Sequence, residues 1–214
     1  KTEGNFNSET GLPLSVFNIR KEHEVGVFEL GMNRVDEIKE LANVLFPNFA
    51  IITNIGTAHI GILGTKDNIA KEKKNIFYNF NDESVGFVPE DDEYASFLQD
   101  VQKGKIFTYG EKSSSKISSV KDLGLLGTSF NYENVNINLA LAGKYNFSNA
   151  LSAVLKTSSS VTFLLIASRS LCVPASGAKV SPLRRTFFSS SISSSEKLST
   201  RSDGRETFIF SFSA

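Results

Sequence analysis

Three residues in the first half of the chain are of types that handle metals and phosphates: Glu29, His59 and Lys73. Glu29 closes the apolar run EVGVFEL and precedes Gly31. A carboxylate at a strand end holds Mg2+ directly or through water in phosphate-handling folds, and it also serves elsewhere as a plain solvated acid. His59 ends the cluster Asn54, Gly56, Thr57, His59. Its imidazole has three readings: metal ligand, donor to a phosphate, or structural histidine. Lys73 lies in a run with Lys71 and Lys74, a pattern whose usual meaning is a solvated helix face. Asn146 and Asn149, three apart and beside Tyr145, share one face of a helix start; they suit a base edge or a helix cap. His23, among Lys21, Glu22 and Glu24, reads as surface. No GxxxxGK[ST] phosphate loop occurs in the 214 residues.

These residues need a frame that delivers them to one place. Glu24 to Leu30 and Phe49 to Thr53 read as short buried strands. Between them Val35, Ile38, Leu41, Ala42 and Leu45 repeat at helical spacing, and Pro47 stops that helix. Strand, helix, strand predicts parallel pairing with a right-handed crossover. Ligands of such sheets sit beyond the carboxyl ends of the strands, where Glu29 and the Asn54–His59 cluster fall. A loop with Gly61 and Gly64 follows, then a polar helix from Lys66 to Phe80. Val85–Val88 and Lys105–Tyr109 predict two further strands, with a helix over Glu93–Val101 between them. Lys116 to Ala142 alternates, as at Val135, Ile137 and Leu139, which predicts an antiparallel edge region. Gly143 to Val154 predicts a helix with Ala150, Leu151 and Val154 apolar. Near the start, Pro13 predicts a short helix with Leu14, Val16 and Phe17 inward.

The net charge is zero, which argues against nucleic acid or a membrane surface as partner. That zero hides a split: residues 151–214 carry eight Lys/Arg and three Asp/Glu, and residues 1–150 carry 15 and 20. One cysteine, Cys172, excludes a disulfide within the chain and fits a reducing, cytoplasmic setting. No run reaches the roughly 20 apolar residues of a membrane helix, and no signal peptide opens the chain. The opening KTEGNFNSETG lacks an initiator Met, so the true N-terminus is expected upstream. After Asn149 asparagine ceases and serine clusters appear, as at Ser189–Ser191 and Ser193–Ser195. Residues 155–214 therefore read as a Ser-rich disordered tail, either an extension or a translated frameshift or fusion scar.

Five blocks in order, GNFNSETGLPLS, FELGMNRVDEI, ITNIGTAHIGILGT, IAKEK and GKYNFSNALSA, resemble the central domain of the Mur ligases over residues 1–154. They are most similar to the branch that joins D-Ala-D-Ala to UDP-N-acetylmuramoyl-tripeptide. The resemblance implies a P-loop-NTPase-like α/β fold with a mostly parallel sheet. It implies ATP and Mg2+ as cofactors, an acyl phosphate made from a substrate carboxylate, and amide formation by the incoming dipeptide. It further implies a monomer. By position, Glu29 matches an acidic Mg2+ ligand. His59 matches the histidine of a second Mg2+ and the reacting phosphate, and Lys73 the lysine that is carbamylated. A carbamate turns a cation into an anion able to bind or orient Mg2+. Asn149 matches the adenine-contacting asparagine of G-x-H-N-x-x-N-A, with Asn146 and Tyr145 beside it. Asn5 and Asn7 fall in the segment that faces the UDP-sugar, with Asn54 a further candidate.

Departures from the pattern matter as much. Tyr145 stands where His is usual and Asn75 where Glu is common, and the match ends abruptly after Val154. The family's phosphate loop would lie upstream of Lys1, so the 214 residues alone are expected to be inactive. A strand is then expected to be missing from the middle of the sheet, leaving apolar edges and poor solubility. Folate-polyglutamylating and cyanophycin-type ligases share the chemistry and are alternatives, as is a non-catalytic remnant; G-N-x-N favours the muramoyl-peptide branch.

Overall fold

Val25–Glu29 (β1) and Phe49–Ile52 (β2) are short β-branched and aromatic runs, and Glu37–Leu45 (α2) crosses between them. In the computed structural model, which describes residues 2, 4, 6–23, 25–113, 116–154 and 206–211, they belong to one five-stranded parallel sheet. Its other members are Val85–Pro89 (β3), Lys105–Tyr109 (β4) and Glu206–Ser211 (β8), in the order β1-β8-β2-β3-β4. A second sheet, antiparallel, holds Ile117–Asp122 (β5), Thr128–Tyr132 (β6) and Val135–Leu139 (β7). The alternating region is thus a sheet of its own rather than an edge of the first.

The parallel sheet separates two apolar layers, because successive strand residues face opposite sides. Phe28, Ile52 and Val88 face one layer with Leu12, Ile38, Leu41, Leu45, Ile69, Ile76 and Leu98. Ile51, Phe87 and Tyr109 face the other, with Ile117, Phe130 and Leu151. Leu151 belongs to Lys144–Val154 (α6), whose Phe147 meets Phe130 edge-on at 5.2 Å between ring centroids. The antiparallel sheet and α6 therefore close the second layer.

Several expectations need correction. The first helix (α1) runs Gly11–Phe17 and buries Leu12 and Ser15, while Leu14 is exposed and Phe17 is 75% exposed. Starting at Gly11 sets the inner face at Leu12, Ser15 and Val16, three and four apart, and turns Leu14 and Phe17 outward. A Cβ at position 11 would lie 2.5 Å from the Phe6 backbone, so the opening segment packs where only glycine fits. The second helix starts at Glu37, and Val35 is exposed ahead of a left-handed Asp36. The glycine-bearing loop after His59 holds a short helix, Ile60–Leu63 (α3). The polar helix is Lys66–Lys74 (α4) with a 3-10 turn at Asn75–Phe77, and Ala95–Gln99 (α5) is shorter than Glu93–Val101.

One strand of the parallel sheet comes from far along the chain. Residues 206–211 are β8, parallel to β1 on one side and β2 on the other. These six residues occupy the middle of the sheet. Register aligns Glu29 with Phe210 and Phe210 with Ile51. At the usual strand spacing this sets Glu29 and Ile51 about 10 Å apart across β8.

Candidate functional site

The carboxyl end of β1 carries Glu29, the loop after β2 carries Asn54 and His59, and all five strands run the same way. The best-built part lies after β2. Lys73 is on the inner face of α4 and is only 3% exposed. Its Nζ donates to the Asn54 carbonyl at 2.8 Å. Its neighbours in the charge run behave differently: Lys71 is exposed, and Lys74 donates to the Phe97 carbonyl at 2.7 Å and lies over that ring. Thr65 starts α4 by accepting from the Asn68 amide at 3.2 Å, which sets the helix phase that turns Lys73 inward.

Burial lowers the Lys73 pKa to about 8, and Asp92 partly opposes that fall. At pH 7 roughly a tenth of such an amine is neutral, against a few ten-thousandths for an ordinary lysine. A neutral, dry amine is a nucleophile toward CO2 and other small electrophiles.

Asp92, after β3, links this cluster together. Its carboxylate accepts from the Ile55 amide at 2.7 Å and the Tyr94 amide at 2.9 Å. It thereby ties the loop after β2 to the loop after β3. Glu72, buried beside Lys73, reaches the other way and accepts from the Asp36 and Ile38 amides, each at 2.8 Å. It satisfies the N-terminus of α2, whose own Asp36 makes no side-chain cap. Neither acid was singled out in the sequence. Asp92 lies in the surface-like run EDDEY and Glu72 in KEKK, and only burial separates them from their neighbours.

His59 is half-buried in the left-handed region, φ 65° and ψ 11°, and its carbonyl accepts from Ile62 and Leu63 at 3.0 Å. Its imidazole makes no hydrogen bond among the described residues. Strained backbone of this kind is common where a side chain is aimed at a ligand.

Across β8, Glu29 accepts from Asn7 Nδ2 at 3.0 Å on one carboxylate oxygen. The Gly31 amide donates to the Asn7 carbonyl at 2.8 Å, and the Glu29 amide donates to Thr2 Oγ1 at 3.1 Å. Asn7 is thus the partner of Glu29 here, and Asn5 lies outside the described residues.

On α6, Asn146 donates to the Ala142 carbonyl at 2.8 Å, so its amide is used locally at the helix start. Asn149 is half-buried, and its side chain makes no hydrogen bond among the described residues. Tyr145 is 78% exposed. The helix is tied to the cluster by Tyr109, which is buried, donates to the Ile52 and Thr53 carbonyls at 3.2 Å and bonds Ser148. Burial pushes the Tyr109 hydroxyl pKa well above its usual value.

Among the described residues no three His, Cys, Asp or Glu side chains gather as a metal-holding group. Glu29 keeps one oxygen without a partner, and Lys73 as an ammonium is no ligand. This set fits Mg2+ held by one or two protein oxygens with waters and phosphates completing the shell, and does not fit an all-protein cage.

The comparisons with known proteins agree with this layout. Residues 1–156 match the model of the Mur ligase middle domain. The UDP-N-acetylmuramoyl-tripeptide--D-alanyl-D-alanine ligase of Treponema pallidum is 50% identical over 153 residues, covering 72% of this chain and 33% of that protein. The chain thus spans about a third of the length of the curated relatives it matches. A crystal structure of MurF from Acinetobacter baumannii superposes with a TM-score of 0.69 at 29% identity, over 83% of this chain and 40% of that one. MurF ligase from Thermotoga maritima, solved in complex with ADP, gives 0.54 at 25% identity, over 72% and 37%. Among the described residues no helix is long and apolar enough to cross a membrane. With sequence blocks, parallel sheet and strand-end cluster all in agreement, the chain belongs to the Mur ligase middle domain family.

Proposed function

We propose that the protein bearing this domain is an ATP-dependent ligase that joins D-Ala-D-Ala to UDP-N-acetylmuramoyl-tripeptide in peptidoglycan synthesis, working as a cytoplasmic monomer. The observation that carries this reading is Lys73: a buried amine with its pKa lowered to about 8, at the end of a parallel strand in a Mur ligase middle domain. The names of the Treponema, Synechocystis and Bacillus relatives all state this same ligation. They favour it over the folate and cyanophycin alternatives.

The residues divide the work as follows. The neutral Lys73 amine attacks CO2, a C–N bond forms, and the amine proton leaves to solvent, so that a carbamate anion replaces the ammonium. Glu29 offers its unpartnered carboxylate oxygen across the crevice. When bound, MgATP supplies the phosphoryl group and the charge neutralisation for its transfer to the substrate carboxylate. His59 would serve the second Mg2+ and the reacting phosphate. Asn149 offers a free amide to the base, with Tyr145 and Asn146 beside it. Asn7 and Asn54 would serve the UDP-sugar, a role that the family resemblance also gives to Asn5.

The test is phosphate release by the full-length ligase with MgATP, UDP-N-acetylmuramoyl-tripeptide and D-Ala-D-Ala. Release that requires all three, and that fails with glutamate or arginine as the amine, supports the reading. Equal release with glutamate and a folate acceptor would replace it with the polyglutamylating alternative. The 214 residues assayed alone are expected to show no turnover, because they contain no GxxxxGK[ST] phosphate loop.

A further inference from the structure

Tyr109 is a buried hydroxyl that the ligation steps above leave unused. It ends β4, where it pairs with Pro89, and the Glu90 amide donates to its carbonyl at 2.8 Å. From that anchor its side chain crosses β3 and reaches β2. The hydroxyl donates to the Ile52 and Thr53 carbonyls, each at 3.2 Å. Both lie past the last β2–β3 pair, Ile51 with Phe87. A phenol oxygen accepts as well as donates, and Ser148 of α6 bonds this same oxygen. One atom therefore joins the ends of two strands to a helix.

The residues next in sequence give that junction its meaning. Thr53 leads to Asn54, whose carbonyl holds the Lys73 amine at 2.8 Å. Ser148 leads to Asn149, the residue offered to the nucleotide base. α6 also packs through Phe147 on Phe130 and through Leu151 in the apolar layer. Apolar contact is non-directional and tolerates a small slide or turn of a helix, whereas a hydrogen bond fixes distance and angle. A phenylalanine at 109 would fill the same apolar space, so what the hydroxyl adds is position. We propose that Tyr109 is a positioning residue: its hydroxyl locks α6, and with it Asn149, onto the strand end that holds Lys73, so that the base and the reacting phosphate of one nucleotide are gripped at a fixed spacing. This rests on the ligase reading for Asn149 as the base contact.

The test is the Kd for MgATP of the full-length protein, measured with the acceptor substrates left out, so that it does not depend on which amine is joined. Tyr109→Phe keeps the ring and is expected to weaken MgATP by about threefold to tenfold, the worth of one neutral hydrogen bond. Asn149→Ala is expected to weaken it at least as much. Because Tyr109 acts through Asn149, the double variant should bind within about twofold of Asn149→Ala alone. A merely structural hydroxyl would give losses that multiply. Ser148→Ala breaks the same junction from the helix side with little disturbance of the strands. It should weaken MgATP by about threefold and add nothing to Tyr109→Phe. An unchanged Kd in both Tyr109→Phe and Ser148→Ala, or multiplying losses in the Tyr109–Asn149 pair, would overturn the proposal. Failure of the D-Ala-D-Ala assay with these MgATP results intact would overturn the choice of acceptor and leave the role of Tyr109 standing. No MgATP binding by the unsubstituted protein would overturn both.

Discussion

The two banks of the crevice at the carboxyl edge of the sheet are built by different means. On the β2–β3 bank, Asn54, Lys73 and Asp92 come from one stretch of some forty residues and are joined directly or through adjacent backbone. Lys73 and Glu72 there are buried, and α4 packs against the same layer as β2 through Ile69 and Ala70. On the β1 bank, Glu29 is held by Thr2 and Asn7 from the opening segment, and its strand pairs with a segment near residue 210. Short loops close at little entropic expense, while distant segments must be ordered before they gain anything. The β2–β3 bank is therefore a local cluster around one buried amine, and the β1 bank is an assembly of remote pieces.

The difference can be sharpened or broken by substitution and by pH. The largest effect is expected at Lys73: Lys73→Ala in the full-length ligase should lower turnover by about 10²–10³, the range seen when a preorganised charge-stabilising group is removed. Lys71→Ala, on the exposed face, should leave the rate within about twofold. Comparable losses from both, in steady-state phosphate release, would show that the buried position is not what matters.

Stability against pH tests the same amine. Lys73 has a pKa of about 8 in the fold against an ordinary 10.5, so between these values the unfolded chain binds more protons. Stability should accordingly rise as pH increases from about 8 toward 10, by at most about 3 kcal/mol, and the penalty of the buried charge should be constant below pH 8. Urea unfolding in CO2-free buffer measures this, and Lys73→Met should flatten the rise. An unchanged slope in that variant would assign the effect to other groups.

Asp92→Ala leaves the Ile55 amide without its acceptor and detaches the loop after β2 from that after β3. It should destabilise the domain by about 2 kcal/mol, read from the urea midpoint. Asn7→Ala removes only a half-buried bond to Glu29 on the other bank and should change stability by about 1 kcal/mol or less. A reversal of that order would mean that the β1 bank is the firmer of the two.

The strand–helix–strand start and the parallel sheet are legible in the sequence, because they follow from apolar periodicity and short connections. Helix ends and faces are less so. Apolar type alone predicts Leu14 and Phe17 inward, but the start of α1 at Gly11 sets the phase, and that start depends on packing against Phe6. Asp92 and Glu72 were invisible because their sequence surroundings are those of solvated acids. Their roles come from amides 34 to 37 residues away.

What the sequence determined by itself is the set of chemically able residues and the family blocks that hold them: Glu29, His59, Lys73 and the GKYNFSNA helix start. Residue identity and local spacing suffice for that. Tertiary structure alone decided that Lys73, and neither Lys71 nor Lys74, is buried enough to lose its proton near pH 8. It alone set Glu29 across an intervening strand from β2 and brought six tail residues into the centre of the sheet. Burial and strand pairing are properties of segments far apart in the chain, so no local window of sequence contains them.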